Sequence, residues 1–440
     1  MIRIAGGLVV TMDAAGTVVE GGFVEVEGDR IVRVGAGPGK TEAAESVDAR
    51  GFLVVPGLVN THCHLSQQLG RGLAHDVDLL TWLHDRIWPY EAALTEDEVE
   101  TSALVCALEQ VRNGVTTVAD PGGQHVDGAA RGIERAGIRA LLGRSTMDEW
   151  EGIPAARRET TEEALAKEDE LAARWHGAAG GRLRFSYTLR TIFNCSDALI
   201  EATVERAREL GTTVQMHIAE IPAENDHARA TRGTTTVRHL AWLGALGPWF
   251  LGAHAVWIDD EEIALLANTG AAVSHNLASN LRVLGLPRVA DMLDADVVIG
   301  LGTDGAPAND RMSLIDEVWA ASLLQKGMRL DPTVLDARTA FAMITREGAK
   351  AISLEGELGS LEPGKAADLI LVDPRTVNMT PVHDPVAALV ASMKTENVHS
   401  VMCAGRWLMR DRRILVCDEQ EALAEAQSRA EAVAVRAGLL

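Results

Sequence analysis

Between residues 57 and 304 the chain alternates short, nearly unbroken apolar runs with longer segments of helical texture. The runs are 57–64, 115–120, 138–146, 183–190, 213–220, 250–256, 271–275 and 297–304, and each ends on polar residues. Near-continuous apolar runs suit strands buried on both faces of a parallel sheet. The segments between them carry helix signals. Thr95-Glu96-Asp97-Glu98 is a capping box before Val99, Leu104 and Leu108, and Ser196-Asp197 opens a helix that Gly211 stops. Arg157-Arg158 reads as a solvated helix face. Eight β/α repeats predict an α/β fold, a (β/α)8 TIM barrel, with its site at the C-terminal strand ends.

Residues 1–56 read differently. Strand-rich stretches punctuated by Gly21-Gly22 and Gly28-Asp29 predict a small antiparallel unit. The same texture returns over 358–418, with strands expected at 369–372 and 398–406 and a turn at Gly364-Lys365. The expected organisation is therefore a barrel over 57–357, a small β-sandwich domain built from both chain ends (1–56 and 358–418), and an Ala- and Glu-rich helix over 419–440.

The chain has 440 residues, 47% apolar and 24% charged, and a net charge of −22. That composition is globular, and its acidity argues against nucleic acid or an anionic membrane as partner. No apolar run approaches the roughly 18–20 residues of a membrane span, and the start lacks the order of a secretory signal. Five widely spaced cysteines without a CxxC pair point to a cytoplasmic setting.

Chemistry concentrates where the apolar runs end. In Asn60-Thr61-His62-Cys63-His64, strand alternation puts His62 and His64 on one face and turns Cys63 away. His217-Ile218-Ala219-Glu220 ends the fifth run, His254 the sixth, and Gly302-Thr303-Asp304-Gly305 the eighth. Each signal alone is weak. Their coincidence at one end of a barrel predicts a metal site, because neutral imidazoles and a carboxylate suit Zn2+ or Fe2+ with a position left open for water. Such an ion lowers the pKa of water from 15.7 toward about 7, so the expected reaction class is metal-assisted hydrolysis.

The motifs PGLVNTHCH, HIAE, AH, GTDG and the closing GSLEPGKAADLILVD resemble the amidohydrolase superfamily through nearly the whole chain. The stretches WLHDRIWPYE, SHNLASNL, LLQKG and TPVHDPVAAL resemble its aminohydrolase branch, which holds S-adenosylhomocysteine/methylthioadenosine deaminases, guanine-type deaminases and triazine hydrolases. The resemblance implies that His62, His64, His217 and Asp304 bind one divalent metal, zinc by preference with Fe2+ as the other option. It implies catalytic roles for Glu220 as the acid protonating a ring nitrogen, for His254 as a hydrogen-bond partner of the attacking water, and for Asp304 as acceptor of its proton. The expected function is hydrolytic deamination of an amino-substituted N-heterocycle of purine, nucleoside or pterin type, releasing ammonia. Loss of chloride or alkylamine from a triazine-like ring is the alternative, and a non-catalytic scaffold on the same fold is the reading from another class.

For the substrate, Glu91 matches the position where adenosine-type deaminases hold ribose hydroxyls. Arg190 stands where those enzymes carry a histidine. A guanidinium only donates, which favours a ring bearing an oxygen acceptor. Trp88 and Arg144 complete the expected substrate-binding set, and Trp82 is a second candidate wall. His84 and His227 carry no supporting context. The expected partners are a small heterocycle and, by analogy of fold, further copies of the chain.

Overall fold

The computed structural model describes residues 1–37, 43–149 and 158–440; Arg157 of the expected Arg157-Arg158 pair lies outside them. Five strands open the chain: β1 (Ile2–Val10), β2 (Val18–Glu27), β3 (Arg30–Ala36), β4 (Glu45–Asp48) and β5 (Leu53–Pro56). The next nine are β6 (Leu58–Asn60), β7 (Val115–Asp120), β8 (Arg139–Leu142), β9 (Leu183–Phe185), β10 (Tyr187–Leu189), β11 (Val214–Ile218), β12 (Phe250–His254), β13 (Ala272–His275) and β14 (Ile299–Leu301). Four close the series: β15 (Leu369–Val372), β16 (Val398–Cys403), β17 (Arg406–Arg410) and β18 (Arg413–Ile414).

Strands β6 to β9 pair in parallel in chain order, and so do β10 to β14. All residues of β7, β11 and β12 are buried, which explains why their sequences read as continuous apolar runs. The run 183–190, expected as one strand, is two. Its first half pairs with β8 and its second with β11, and Ser186 between them donates its N–H to Leu142 O at 2.9 Å. At the other seam, Thr61 N–H donates to Leu301 O at 3.0 Å, and the N–H groups of Thr303 and Asp304 both reach His62 O. The end of β14 is thereby tied to the residues that follow β6.

Both chain ends build one nine-stranded sheet in the order β18-β17-β16-β15-β5-β1-β2-β3, with β4 branching from β1. The expectation of a purely antiparallel unit is corrected here. β1 pairs in parallel with β4 and β5, so the unit is mixed, with antiparallel pairing kept by β1-β2 and β2-β3. The expected strand 398–406 also breaks, since Ala404 and Gly405 both take positive φ and turn β16 into β17. The capping box at Thr95 forms over a helix at Glu96–Arg112, a feature worth about 1 kcal/mol. The closing helix spans Glu419–Arg436. No helix among the described residues is long and apolar enough to cross a membrane.

Candidate metal centre and substrate cavity

Residues at the C-terminal ends of the parallel strands converge. His62 and His64 follow β6, and Cys63 between them turns away, its Sγ 3.6 Å from that of Cys106. His217 lies in β11, His254 ends β12, and Asp304 follows β14. His254 (φ 75°) and Asp304 (φ 61°) hold left-handed backbone, as does Ala219 (φ 49°) beside Glu220. For a side chain other than glycine this costs about 1–2 kcal/mol, and such strain persists only where neighbours enforce it.

The donor atoms of His62, His64 and Asp304 lie within 4.8 Å of one another, as do those of His62, His217 and His254. His62 Nε2 and His64 Nε2 stand 3.6 and 3.5 Å from Asp304 Oδ1, and His64 Nε2 stands 3.4 Å from His217 Nε2. Ligand bonds of about 2.0–2.1 Å in a tetrahedron give edges of roughly 3.3–3.4 Å, close to these spacings. His62 Nε2 is buried and makes no hydrogen bond. The His217 ring bonds through Nδ1 to Arg190 O at 3.0 Å, which leaves Nε2 as its lone-pair atom.

Burial lowers the pKa of all four imidazoles, that of His64 to about 3, so they stand neutral with lone pairs available. Burial alone would raise the Asp304 carboxyl. The close approach of His62, with His254 and His64 beside it, instead holds it well below the usual range. Ser279 Oγ donates to Asp304 Oδ2 at 2.6 Å and Gly305 N–H to Oδ1 at 2.7 Å. This donor set fits a divalent cation.

Glu220 completes the cluster, with Oε1 3.4 Å from His254 Nε2. Burial and the charge of Asp304 push its carboxyl up to about 7, against the pull of Arg190. A narrow cavity lies over His64, His217, Glu220, His254 and Asp304, walled by Trp82, Leu79 and Arg190. A second, about 1180 Å3 and open to solvent, shares Arg190 and Glu220 with it and adds Trp88, His84, Phe193 and His227.

The remaining expected substrate residues divide. Arg190 NH1 lies 3.6 Å from Glu91 Oε1 and donates to Ser145 Oγ at 3.2 Å, and Gln67 Nε2 donates to the same Glu91 oxygen at 3.0 Å. The two substrate signals are thus one buried ion pair. Arg144 belongs elsewhere: its guanidinium pairs with Glu159 at 2.5–2.7 Å, outside the lining of both cavities. A carboxylate fifteen residues away in sequence takes the cation that was expected to face substrate.

Further polar side chains support the cluster. Asn280 Oδ1 accepts from His254 Nδ1 at 2.8 Å, and Asn280 Nδ2 donates to His275 Nδ1 at 3.2 Å. Gln67 reaches Glu91, and Ser279 reaches Asp304. Asn280 and Ser279 share the stretch SHNLASNL, whose polar residues were the available signal. His84, T-stacked on Trp88, and His227, against Phe193, offered none.

Comparison with known proteins agrees with this geometry. The pattern described as the amidohydrolase family matches residues 53–408. The chain is 36% identical to the 5'-deoxyadenosine deaminase of Methanosarcina mazei, over 99% of both chains. It is 37% identical to the 5-methylthioadenosine/S-adenosylhomocysteine deaminase of Desulforudis audaxviator, over 92% of this chain and 93% of that one. Among solved structures it resembles a zinc-bound adenosine deaminase from Xanthomonas campestris (TM-score 0.92, 28% identity, 99% and 98% of the two chains). It also resembles the zinc complex of an atrazine chlorohydrolase from Arthrobacter aurescens (TM-score 0.91, 27% identity, 98% and 100%). With the family pattern covering residues 53–408, the chain belongs to the amidohydrolase family.

Proposed function

We propose that the protein is a metal-dependent deaminase that hydrolyses an adenine-type nucleoside to its oxo product and ammonia. The observation that carries this reading is Glu220. It is a buried carboxyl with a pKa of about 7, aimed into the cavity beside His254 and the His/Asp cluster. Relatives of over 33% identity named as deaminases of 5'-deoxyadenosine and of methylthioadenosine/S-adenosylhomocysteine support the nucleoside class.

In this reading His62, His64, His217 and Asp304 hold one ion, zinc by preference and Fe2+ as the alternative. When bound, such an ion supplies Lewis acidity that brings the pKa of water toward neutrality. Asp304, kept ionised, accepts a proton from the attacking water. His254 Nε2 lies 3.9 Å from Asp304 Oδ2 and hydrogen-bonds at the point of attack. Glu220 donates its proton to a ring nitrogen, which makes the neighbouring carbon electrophilic. Water adds there, Asp304 passes the proton it took to the amine, the carbon–amine bond breaks with release of ammonia, and the remaining hydroxyl proton returns to Glu220 as the carbonyl forms. Glu91 holds sugar hydroxyls, while Arg190 and Trp88 wall the passage between the two cavities. Because Arg190 shares its positive charge with Glu91, its donors do not require an oxo-substituted ring.

The proposal extends to the architecture: a closed (β/α)8 barrel over 57–357, a companion β-sandwich from 1–56 and 358–418, and a terminal helix over 419–440. The tie between Thr61 and Leu301 supports closure. A cytosolic homo-oligomer is part of the same reading. The test is an ammonia-release screen of the metal-loaded protein on adenosine-type nucleosides, guanine-type bases, pterins and triazines. Turnover of the nucleosides is expected. Chloride or alkylamine released from triazines without ammonia would favour the alternative.

A further inference from the structure

Glu220 is presented by an unusual piece of backbone. Ala219, just before it, has φ 49° although it carries a Cβ. Its carbonyl accepts the N–H groups of Val256 (3.1 Å) and Trp257 (2.9 Å), which follow His254. Its own N–H points the other way, to Glu224 Oε1 at 2.8 Å, and the N–H of Glu220 donates to Glu224 Oε2 at 2.8 Å.

Glu224 is the third residue of the helix Pro222–Arg232, whose first turn begins with Pro222. A Glu there commonly folds back onto the capping residue's N–H. Here the capping residue is Ile221, and the side chain reaches past it to the two residues that carry the turn. Glu224 is fully buried and lines neither cavity, so it meets substrate nowhere.

We propose that Glu224 is the positioning residue of the catalytic acid: by taking both N–H groups of the Ala219-Glu220 turn it enforces the left-handed backbone that aims Glu220 at the reacting ring. The role rests on the deaminase reading and belongs to the same site. Three observations converge on it. Two 2.8 Å bonds end on two different oxygens of one side chain. Ala219 holds left-handed backbone at φ 49°, which a residue with a Cβ keeps only where neighbours enforce it. The opposite face of the same peptide is already fixed by the N–H groups of Val256 and Trp257, just beyond the strand that His254 ends. Burial and then the like charge of Glu220 raise the Glu224 carboxyl to about 8, against the opposing pull of the two N–H groups.

The test uses Glu224→Gln, which keeps the shape and replaces one acceptor oxygen with an amide NH2 facing an N–H group. On the metal-loaded protein, kcat should fall about 10–100-fold, the scale on which a small misplacement of a catalytic group acts. KM should stay within about twofold, and the metal content should not change. Backbone hydrogen exchange at Ala219 and Glu220 should quicken, a readout that needs no substrate. Adding Ala219→Gly, which relieves the left-handed strain without touching Glu224, should restore about tenfold in kcat, since glycine adopts this backbone freely. If Glu224→Gln folds poorly, Glu224→Asp provides the same exchange and kcat readings. Unchanged exchange and kcat in a folded variant would overturn the proposal, as would a kcat loss that Ala219→Gly does not relieve. Failure of the wild type to release ammonia from any heterocycle would refute the deaminase reading instead and leave the exchange result standing.

Discussion

Replacing Glu220 by Gln removes the one acid the mechanism uses and leaves the metal ligands alone. The carboxyl moves from an ordinary 4.5 to about 7, chiefly through burial and then through the charge of Asp304. That favours the protonated form by roughly 3 kcal/mol, at 1.36 kcal/mol per pH unit. At pH 7 about half the molecules then carry the proton, against a fraction of a percent for an exposed glutamate, so the pocket gains roughly two orders of magnitude in available acid. Because the protonated form is the working one, kcat for deamination should be full below about pH 6. It should be half-maximal near 7 and fall tenfold per unit above it. Glu220→Gln should lower kcat by about 10²–10⁴ and abolish this limb, while metal analysis still returns one ion per chain. Ammonia release followed from pH 5.5 to 9 reads both effects. A variant within about threefold of wild type, or one that loses its metal, would refute the assignment.

Other consequences follow from the packing. Gly302→Ala places a methyl 2.7 Å from His62 Cβ and 2.8 Å from His62 N, with Asn276 Oδ1 closer still. The His62 backbone must shift, and competition with a chelator should show metal affinity lowered by about tenfold or more; unchanged affinity would contradict the geometry. Arg190→Met takes the guanidinium from beside buried Glu91 and should cost about 3–5 kcal/mol, whereas the double variant with Glu91→Gln should be less destabilised than the sum. Denaturant titration decides this, with strict additivity as the refuting outcome. Glu168, fully buried in the helix Thr161–Trp175, has its carboxyl raised by burial to about 8. A folded value above the unfolded 4.5 means that its contribution is complete below pH 4.5 and is lost as pH rises toward 8, because the unfolded chain ionises first. Glu168→Gln, which keeps the acceptor for Thr188 N–H, should therefore gain on wild type in Tm from pH 5 to 8, and parallel Tm curves would exclude the effect.

What sequence could reveal followed from how local each signal is. His62 and His64 were legible from their i, i+2 spacing at the end of an apolar run, although the strand itself stops at Asn60. The eight apolar runs were legible because strands buried on both faces leave no polar alternation. The pairing of β1 with β4 and β5 was not, since a parallel partner requires a crossover that leaves no turn signature. Glu91 and Arg190 read as opposed substrate signals because ninety-nine residues separate two side chains that meet as a pair. The partner of Arg144 was hidden for the same reason: nothing in its strand announces Glu159. The clamp of Glu224 on the Glu220 turn was invisible, because the left-handed φ of Ala219 appears only in three dimensions.

The central claim is that the chain replaces a ring amine with oxygen from water. The most direct measurement incubates the metal-loaded protein with 5'-deoxyadenosine in ¹⁸O-labelled water and analyses both products. The account predicts one ammonia released per ring and a single ¹⁸O in the purine product. A purine recovered unlabelled with no ammonia, alongside chloride released from a chlorinated triazine, would contradict it.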